Sequence, residues 1–251
     1  QPFAWFATQR DNPNNVSGES SKVGVKIENE AVQALLQMVG FHSKTGAGHF
    51  TSGGTIANFE ALIRARARCA LWLALGTAKG KSQYPKKSLF EFAHMGWERF
   101  RELGPFDGLE KYNFEEENPW EAARNLEQVY GVPFLGPVVL VPENKHYSWV
   151  KGVSVLGLGT DSLWPIELDA KARLSVFDLK KKLERACDQQ RPILMVVSIA
   201  GTTELGGFDP THEVQALLEC WKKERDIHIW HHIDAAYGGF FRTLLHLQEN
   251  P

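Results

Sequence analysis

The chain has 251 residues and a mass of 28.2 kDa, and its 28 basic and 30 acidic side chains give a formal net charge of −2. The chain has no excess of basic residues of the kind that nucleic-acid-binding proteins carry. It also contains no run of about 18 apolar residues, so no membrane-spanning helix is predicted. Its three scattered cysteines argue against a disulfide framework and favour a reducing compartment, so we expect a cytoplasmic protein.

The amino-terminal part of the chain predicts a loop followed by helices. Residues 1–25 are rich in Asn, Ser and Gly without periodicity, which predicts an extended segment. Apolar residues at helical spacing predict a helix over residues 26–39. A second helix follows the Ser52–Thr55 turn, with a stripe of apolar residues that runs from Ile56 to Ala67. Weaker signals between proline and glycine breakers predict further helices in residues 76–131.

From Pro137 onward the pattern alternates between strands and helices. Apolar runs predict strands, and a Ser175–Asp178 capping box and an Asp209–Pro210 cap each predict the start of a helix. Such alternation predicts an α/β fold with a mostly parallel sheet covered by helices on both faces, in one domain over residues 26–251. The predicted strands are residues 138–141, 193–199 and 227–233, and the predicted helices are residues 149–156, 179–187 and 214–221.

In such sheets ligands bind at the carboxyl ends of the strands or at nearby helix starts. The glycines of the Ser52–Thr55 turn allow a ligand to approach the backbone, and the helix that follows offers free N–H groups to a phosphate. The alternative is a plain turn in which Thr55 caps the helix. Thr203 follows a buried strand, where its hydroxyl can contact a bound ring. Asp209 closes the same loop, where it can also cap the next helix.

Asp234 ends an apolar strand among small residues. A half-buried acid needs a partner, and a cationic heterocycle nitrogen would serve. A zinc site is an alternative interpretation of His228, His231, His232 and Asp234. Alternation along a strand, however, places His231 on the opposite face from the other three, so we expect no metal.

His146 follows the strand at residues 138–141. Its imidazole can stack on a flat ring, or it can simply satisfy backbone groups.

Taken together and in this order, these segments resemble the group II pyridoxal-phosphate-dependent amino-acid decarboxylases, from about Asn12 to Tyr237. The resemblance implies the aspartate-aminotransferase-like (type I) fold. The spacing of the blocks and the His-Tyr-Ser-Trp sequence are most similar to those of the microbial tyrosine decarboxylases. The blocks that carry it are Thr51–Asn58, His146–Trp149, Gly201–Thr203 with Phe208–Asp209, and His232–Gly238.

The resemblance assigns roles to eight residues of the chain. It implies that the turn at Gly53, Gly54 and Thr55 holds the cofactor phosphate, and that His146 stacks on the pyridine ring. Asp234 would pair with the ring nitrogen, with support from His232. Thr203 and Asp209 would line the edge of the ring. The residues implied to take part in catalysis are His146, Thr203 and Asp234.

The implied reaction converts an L-amino acid, with tyrosine or another aromatic amino acid expected first and glutamate second, to its amine and CO₂ in a homodimer. Another type I lyase and a non-catalytic truncated fragment remain alternatives. The family's Schiff-base lysine would lie beyond Pro251. The chain therefore looks truncated, and we expect it to be inactive alone.

Overall fold

A computed structural model describes residues 18–42, 44–104 and 107–244 of the chain. The chain divides into two compact units, one of Gly54–Gly238 and one of Gln1–Gly53 with Gly239–Pro251. Most of the predicted extended segment, residues 1–17, lies outside the described residues. Within the described part of the chain, no helix combines the length and apolarity that crossing a membrane requires.

The described part of the smaller unit is mainly helical. Helix α1 spans Gly18–Ser21 and α2 spans Val23–Val39, so the predicted extended segment is wrong from residue 18 onward and the first long helix begins three residues before Lys26. Helix α2 is followed by Gly40, whose left-handed φ of 84° turns the chain so that the N–H of Phe41 bonds to the carbonyl of Leu36 at 2.8 Å. A 3₁₀ turn at Gly239–Arg242 belongs to the same unit.

The larger unit begins with helices, as predicted for residues 76–131. A long helix, α3, leads into a π-helical turn and a set of shorter helices. Their bounds are α3 Gly54–Leu75, the π turn Gly76–Gly80, α4 Lys81–Gln83, α5 Leu89–Ala93, α6 Gly96–Leu103, a 3₁₀ turn at Glu110–Tyr112, and α7 Pro119–Tyr130.

The apolar stripe predicted on α3 is not the face that the fold buries. Ile56 and Ile63 are 40% and 43% exposed, whereas Asn58, Leu62 and Ala65 are buried. Both faces of this helix carry apolar residues at helical spacing, so periodicity alone does not select between them.

The rest of the unit alternates strands and helices around a parallel sheet, which confirms the predicted α/β class. The four strands lie in the order β2-β1-β3-β4, and every neighbouring pair is parallel. The elements are β1 Val138–Pro142, α8 Ser148–Val155, a 3₁₀ turn at Thr160–Ser162, β2 Leu163–Ile166, α9 Val176–Asp188, β3 Ile193–Ile199, α10 Thr211–Arg225 and β4 His231–Asp234.

Both faces of this sheet are buried. Val139 and Val141 of β1 pack in one apolar cluster with α3, and Val138 and Leu140 pack in a second cluster with α9 and α10. Because successive side chains of a strand point to opposite faces, a strand between two helical layers is apolar at every position. This explains the continuous apolar runs from which β1 and β3 were predicted.

The strand and cap predictions were wrong in three places. Strand β2 was not predicted, since it has only four residues and includes Pro165. The last strand begins at His231 rather than at residue 227. Ser175 caps α9 as predicted, but Asp209 does not cap α10, whose N-cap is Pro210 without a side-chain bond.

Candidate active site

The carboxyl ends of β1, β3 and β4 and the first turn of α3 surround a cavity of about 320 Å³. Parallel strands place their carboxyl ends at one edge of the sheet, which is why segments far apart in sequence meet here. The cavity is lined by Gly54, Thr55, Asn58, Asn144, His146, Tyr147, Ile199, Gly201, Thr202, Thr203, Asp234, Ala236 and Tyr237.

The first turn of α3 presents backbone to this cavity. A Cβ atom on Gly54 would lie 2.9 Å from the Cβ of Ala236, so only glycine fits without displacing the segment after β4. The first N–H groups of an α-helix have no partner within the helix, and its N-terminus carries partial positive charge. Thr55 lies inside the helix, so the alternative that it caps the helix is wrong. Gly53 precedes the helix with a φ of 152°.

Asp234 is buried at the end of β4, and neutral donors hold its carboxylate. Oδ2 accepts hydrogen bonds from Nδ2 of Asn58 at 2.9 Å and from Nε1 of Trp149 at 3.1 Å. Within the described part of the chain, Oδ1 accepts only a long bond, at 3.4 Å, from the backbone N–H of Ala236. The carboxylate is thus fixed in direction through one oxygen while the other keeps capacity for a donor in the cavity.

His146 is tied to the same group of side chains. Its Nδ1 lies 2.9 Å from the hydroxyl of the buried Ser148, which in turn accepts a hydrogen bond from Nδ2 of Asn58 at 3.0 Å. The imidazole also lies against the ring of Tyr147, with 4.2 Å between ring centroids. Two aromatic rings, tilted by 45° to each other, therefore line this side of the cavity.

His232 lies behind this group and makes no hydrogen bond to Asp234. Its ring instead packs edge-on against the indole of Trp149 at 5.3 Å, and that indole donates to Asp234. Burial lowers the pKa of His232, and the Asp234 carboxylate opposes that shift. Packing thus links His232 to Asp234 through Trp149, while the charge of Asp234 also acts on the imidazole directly.

The neighbouring His231 faces away from the cavity, as the alternation argument requires. Its Nε2 lies 2.8 Å from the Ser198 hydroxyl and its Nδ1 lies 2.9 Å from Oε1 of Gln215. Burial first, and then His232, lowers the pKa of His231 to about 4. Among the described residues, no group of three or more His, Cys, Asp or Glu side chains is arranged to hold a metal ion.

Thr203 lines the cavity from the loop after β3, and its side chain is exposed. The loop is closed by its neighbour Thr202, whose hydroxyl accepts a hydrogen bond from the N–H of Gly207 at 3.0 Å. Where this loop meets the segment after β4, the two backbones touch. A Cβ on Gly238 would lie 2.3 Å from the carbonyl oxygen of Ala200.

Asp209 is not among the residues that line the cavity. Its Oδ1 accepts from the N–H of Leu174 and its Oδ2 from the N–H of Ile199, both at 2.7 Å. Burial raises its pKa, and these two backbone bonds oppose the shift. The carboxylate therefore joins the end of β3 to the segment before α9.

Several residues at the site were not singled out from the sequence. Asn58 and Trp149 hold Asp234, and Asn144 lines the cavity with a buried Oδ1 that has no hydrogen-bond partner in the described structure. A signal for Asn58 was present in the sequence. It lies four residues after Gly54, which places both on one face of the helix.

Comparison with known proteins gives a consistent result. Residues 134–247 match the family described as the pyridoxal-dependent decarboxylase conserved domain. The L-tyrosine decarboxylase of Enterococcus faecium is 35% identical over 237 residues, which are 93% of this chain and 36% of that protein. The L-tyrosine decarboxylase of Levilactobacillus brevis is 30% identical over 243 residues, 93% of this chain and 35% of that protein. The chain thus spans about a third of the length of these curated relatives.

Among solved structures, mouse CSAD in its apo form superposes with a TM-score of 0.59 at 24% identity, over 93% of this chain and 36% of that chain. At this identity the likeness concerns the fold, and it confirms the expected type I fold.

Proposed function

We propose that the protein decarboxylates an L-amino acid to its amine and CO₂, and the match of residues 134–247 to the pyridoxal-dependent decarboxylase conserved domain supports this proposal. The observation that carries the proposal is the position of Asp234. Its carboxylate lies in the same cavity as the N-terminus of a long helix, so one cavity offers an anion for a cationic ring and N–H donors for a phosphate.

The cavity fits pyridoxal 5′-phosphate on the chemistry of its donors. When bound, this cofactor supplies an electron sink for a developing carbanion. The N–H groups at Gly54 and Thr55, preceded by Gly53, would bind the phosphate, and the close approach of Gly54 to Ala236 leaves no room for a side chain there. Asp234 would keep a proton on the ring nitrogen, since Asn58 and Trp149 leave its Oδ1 able to accept.

Three further residues complete the proposed assignment. His146 would contact the face of the ring and Thr203 its edge, since both line the cavity. His232 would act on Asp234 through Trp149. The geometry favours a structural role for Asp209, because two backbone N–H groups occupy its carboxylate.

For the substrate we propose tyrosine or another aromatic amino acid, with glutamate as the second candidate. The support comes from the relatives at 30–35% identity, both of which are L-tyrosine decarboxylases. The chain covers about a third of their length, so residues outside it would contribute to substrate choice in the full-length protein.

We further propose that the 251 residues do not turn over substrate alone. None of the described residues that line the cavity is a lysine, and Lys145 beside it bonds to the carbonyl of Glu143. A cytoplasmic homodimer is part of the proposal. The dimer, as distinct from its location, is supported by exposed apolar side chains on two helices that pack together, α3 with Ile56 and Ile63, and α8 with Val150 and Val155.

The test is an assay of the full-length protein with added cofactor against each of the twenty amino acids, with CO₂ and amine measured together. Equal amounts of both products from an aromatic amino acid would support the proposal. Pyruvate or alanine as a product would favour a different type I lyase. A full-length protein that neither binds the cofactor nor forms any product would favour the non-catalytic alternative.

A further inference from the structure

The polar side chains around Asp234 form one continuous hydrogen-bonded chain that ends at His146. Nδ2 of Asn58 lies 2.9 Å from Oδ2 of Asp234 and 3.0 Å from the hydroxyl of Ser148. That hydroxyl lies 2.9 Å from Nδ1 of His146. Asn58 and Ser148 are buried, so solvent does not compete for these bonds.

Donor counting fixes the direction of every bond in this chain. An ionised carboxylate only accepts, so Asn58 must face Asp234 with its NH₂ group rather than with its carbonyl. The same NH₂ group faces Ser148, and its two hydrogens are thereby both used. The Ser148 hydroxyl accepts one of them, so its own proton is free to be donated onward to Nδ1 of His146.

A second donor reaches the same nitrogen of His146. The backbone N–H of Ser148 lies 3.3 Å from Nδ1 and can only donate. Nδ1 is therefore an acceptor, and the neutral imidazole carries its proton on Nε2. Within the described structure, Nε2 has no hydrogen-bond partner, and His146 lines the cavity.

We propose that Asn58 is a positioning residue that sets two sides of the cavity at once. It orients the carboxylate of Asp234 and, through Ser148, holds His146 as the Nε2–H tautomer. His146 then presents an uncharged N–H donor to an oxygen atom of the bound ligand. The use of this donor by a ligand rests on the proposed function, whereas the tautomer is a property of the chain itself.

The test is nitrogen NMR of the full-length, cofactor-free protein labelled with ¹⁵N-histidine, in which the His146 signals are assigned by their loss in His146→Gln. We expect one protonated nitrogen, Nε2, and an unprotonated Nδ1. Asn58→Leu keeps the approximate shape but removes both donors, so the Ser148 hydroxyl becomes able to accept from His146 as well as to donate. The His146 signals should then shift part of the way toward those of the Nδ1–H tautomer, since the backbone N–H of Ser148 still favours an unprotonated Nδ1. A His146 that carries its proton on Nδ1 in the unsubstituted protein would overturn the proposal.

Trp149→Phe is the matched control. It removes the other strong donor to Asp234 and leaves the path from Asn58 through Ser148 to His146 intact. The His146 signals should therefore be unchanged in this variant. If Trp149→Phe shifts the His146 signals as far as Asn58→Leu does, a nonspecific loss of packing around Asp234 explains the effect, and the role of Asn58 is refuted.

Ser148→Ala provides an independent test should Asn58→Leu fold poorly, since it removes only one buried oxygen. It should shift the His146 signals in the same direction as Asn58→Leu, and unchanged signals would refute the path through Ser148. The readout requires no substrate. An Nε2–H tautomer in a protein without decarboxylase activity would therefore reject the proposed function and leave the positioning role standing.

Discussion

Nδ2 of Asn58 lies 2.9 Å from the carboxylate of Asp234, although the two residues are 176 positions apart in the sequence. The contact joins the second turn of α3 to the end of β4 at the floor of the cavity. An acid in such a place is buried at a cost unless donors satisfy it, and neutral donors do so without neutralising its charge. On the proposed function, this arrangement would hold the carboxylate toward the cationic ring nitrogen of the cofactor.

Asp234→Asn keeps the shape of this side chain and removes its charge. The amide oxygen can still accept from Asn58 and Trp149, so we expect the protein to fold. Loss of the anion should lower kcat/KM of the full-length enzyme by roughly 100-fold or more, the range typical for a fixed electrostatic partner. Steady-state kinetics at saturating cofactor measures this, and activity near that of the unsubstituted enzyme would remove Asp234 from its proposed role.

Gly54→Ala tests the backbone approach at the helix start. The new Cβ would meet the Cβ of Ala236 at 2.9 Å, so α3 or the segment after β4 must shift. We expect weaker cofactor binding, measured as an increased Kd in a fluorescence titration. The double variant Gly54→Ala with Ala236→Gly removes the clash and should recover most of the affinity. Equal affinity in the single variant and the unsubstituted protein would show that this contact does not shape the site.

Gly238→Ala tests the contact between the two loops beside the cavity. Its Cβ would lie 2.3 Å from the carbonyl oxygen of Ala200, which cannot rotate away as a side chain can. We expect the free energy of unfolding to fall by about 1–3 kcal/mol, as for other overpacked sites. Gly207→Ala is the control, since its Cβ would meet only the Thr202 hydroxyl at 3.5 Å. Similar urea midpoints for the two variants would contradict the account.

The stability of the protein should fall on mild acidification because His94, which is buried, and His231, which is half-buried, have lowered pKa values. Burial lowers the pKa of His94 to about 4, and it does the same for His231. Between about pH 7 and pH 4 the unfolded chain therefore binds protons that the native protein does not, and the free energy of unfolding decreases as the pH falls. For His94, a shift from 6.5 to about 4 corresponds to about 3 kcal/mol.

Urea unfolding of the cofactor-free protein across this pH range measures the slope. His94 accepts a bond from the N–H of Ile193 and lies 2.7 Å from the carbonyl of Phe90, so His94→Gln lowers stability overall but should flatten the pH dependence. His212→Gln, at a side chain that is 84% exposed, is the control. A slope that persists unchanged in His94→Gln would show that other groups control acid sensitivity.

The sequence predicted the parts of the fold and the site that depend on local pattern. The apolar runs of β1 and β3 identify buried strands, and Asp234, His146 and Gly54 follow from their places at strand ends or at a helix start. Contacts between distant segments are not encoded locally. The bond from Asn58 to Asp234 required the fold to bring α3 and β4 together.

Asp209 is a case in which contacts with distant segments overturn a prediction made from the local sequence. Its local sequence favours a helix cap, but the folded chain offers it two buried backbone N–H groups, at Leu174 and Ile199. Each of these groups would be costly to leave unpaired, so the distant contacts replace the local one. The exposed Ile56 and Ile63 on α3 illustrate a second limit of prediction from sequence. When a helix has apolar residues on two faces, helical periodicity does not identify the face that the core buries.

The measurement that tests the central claim most directly is the release of CO₂ from carboxyl-labelled tyrosine by the full-length protein, with and without pyridoxal 5′-phosphate. The account predicts cofactor-dependent release of CO₂ matched by an equal amount of the amine, and its loss in Asp234→Asn. Absence of CO₂ release from tyrosine and from every other amino acid, in a protein that binds the cofactor, would contradict it.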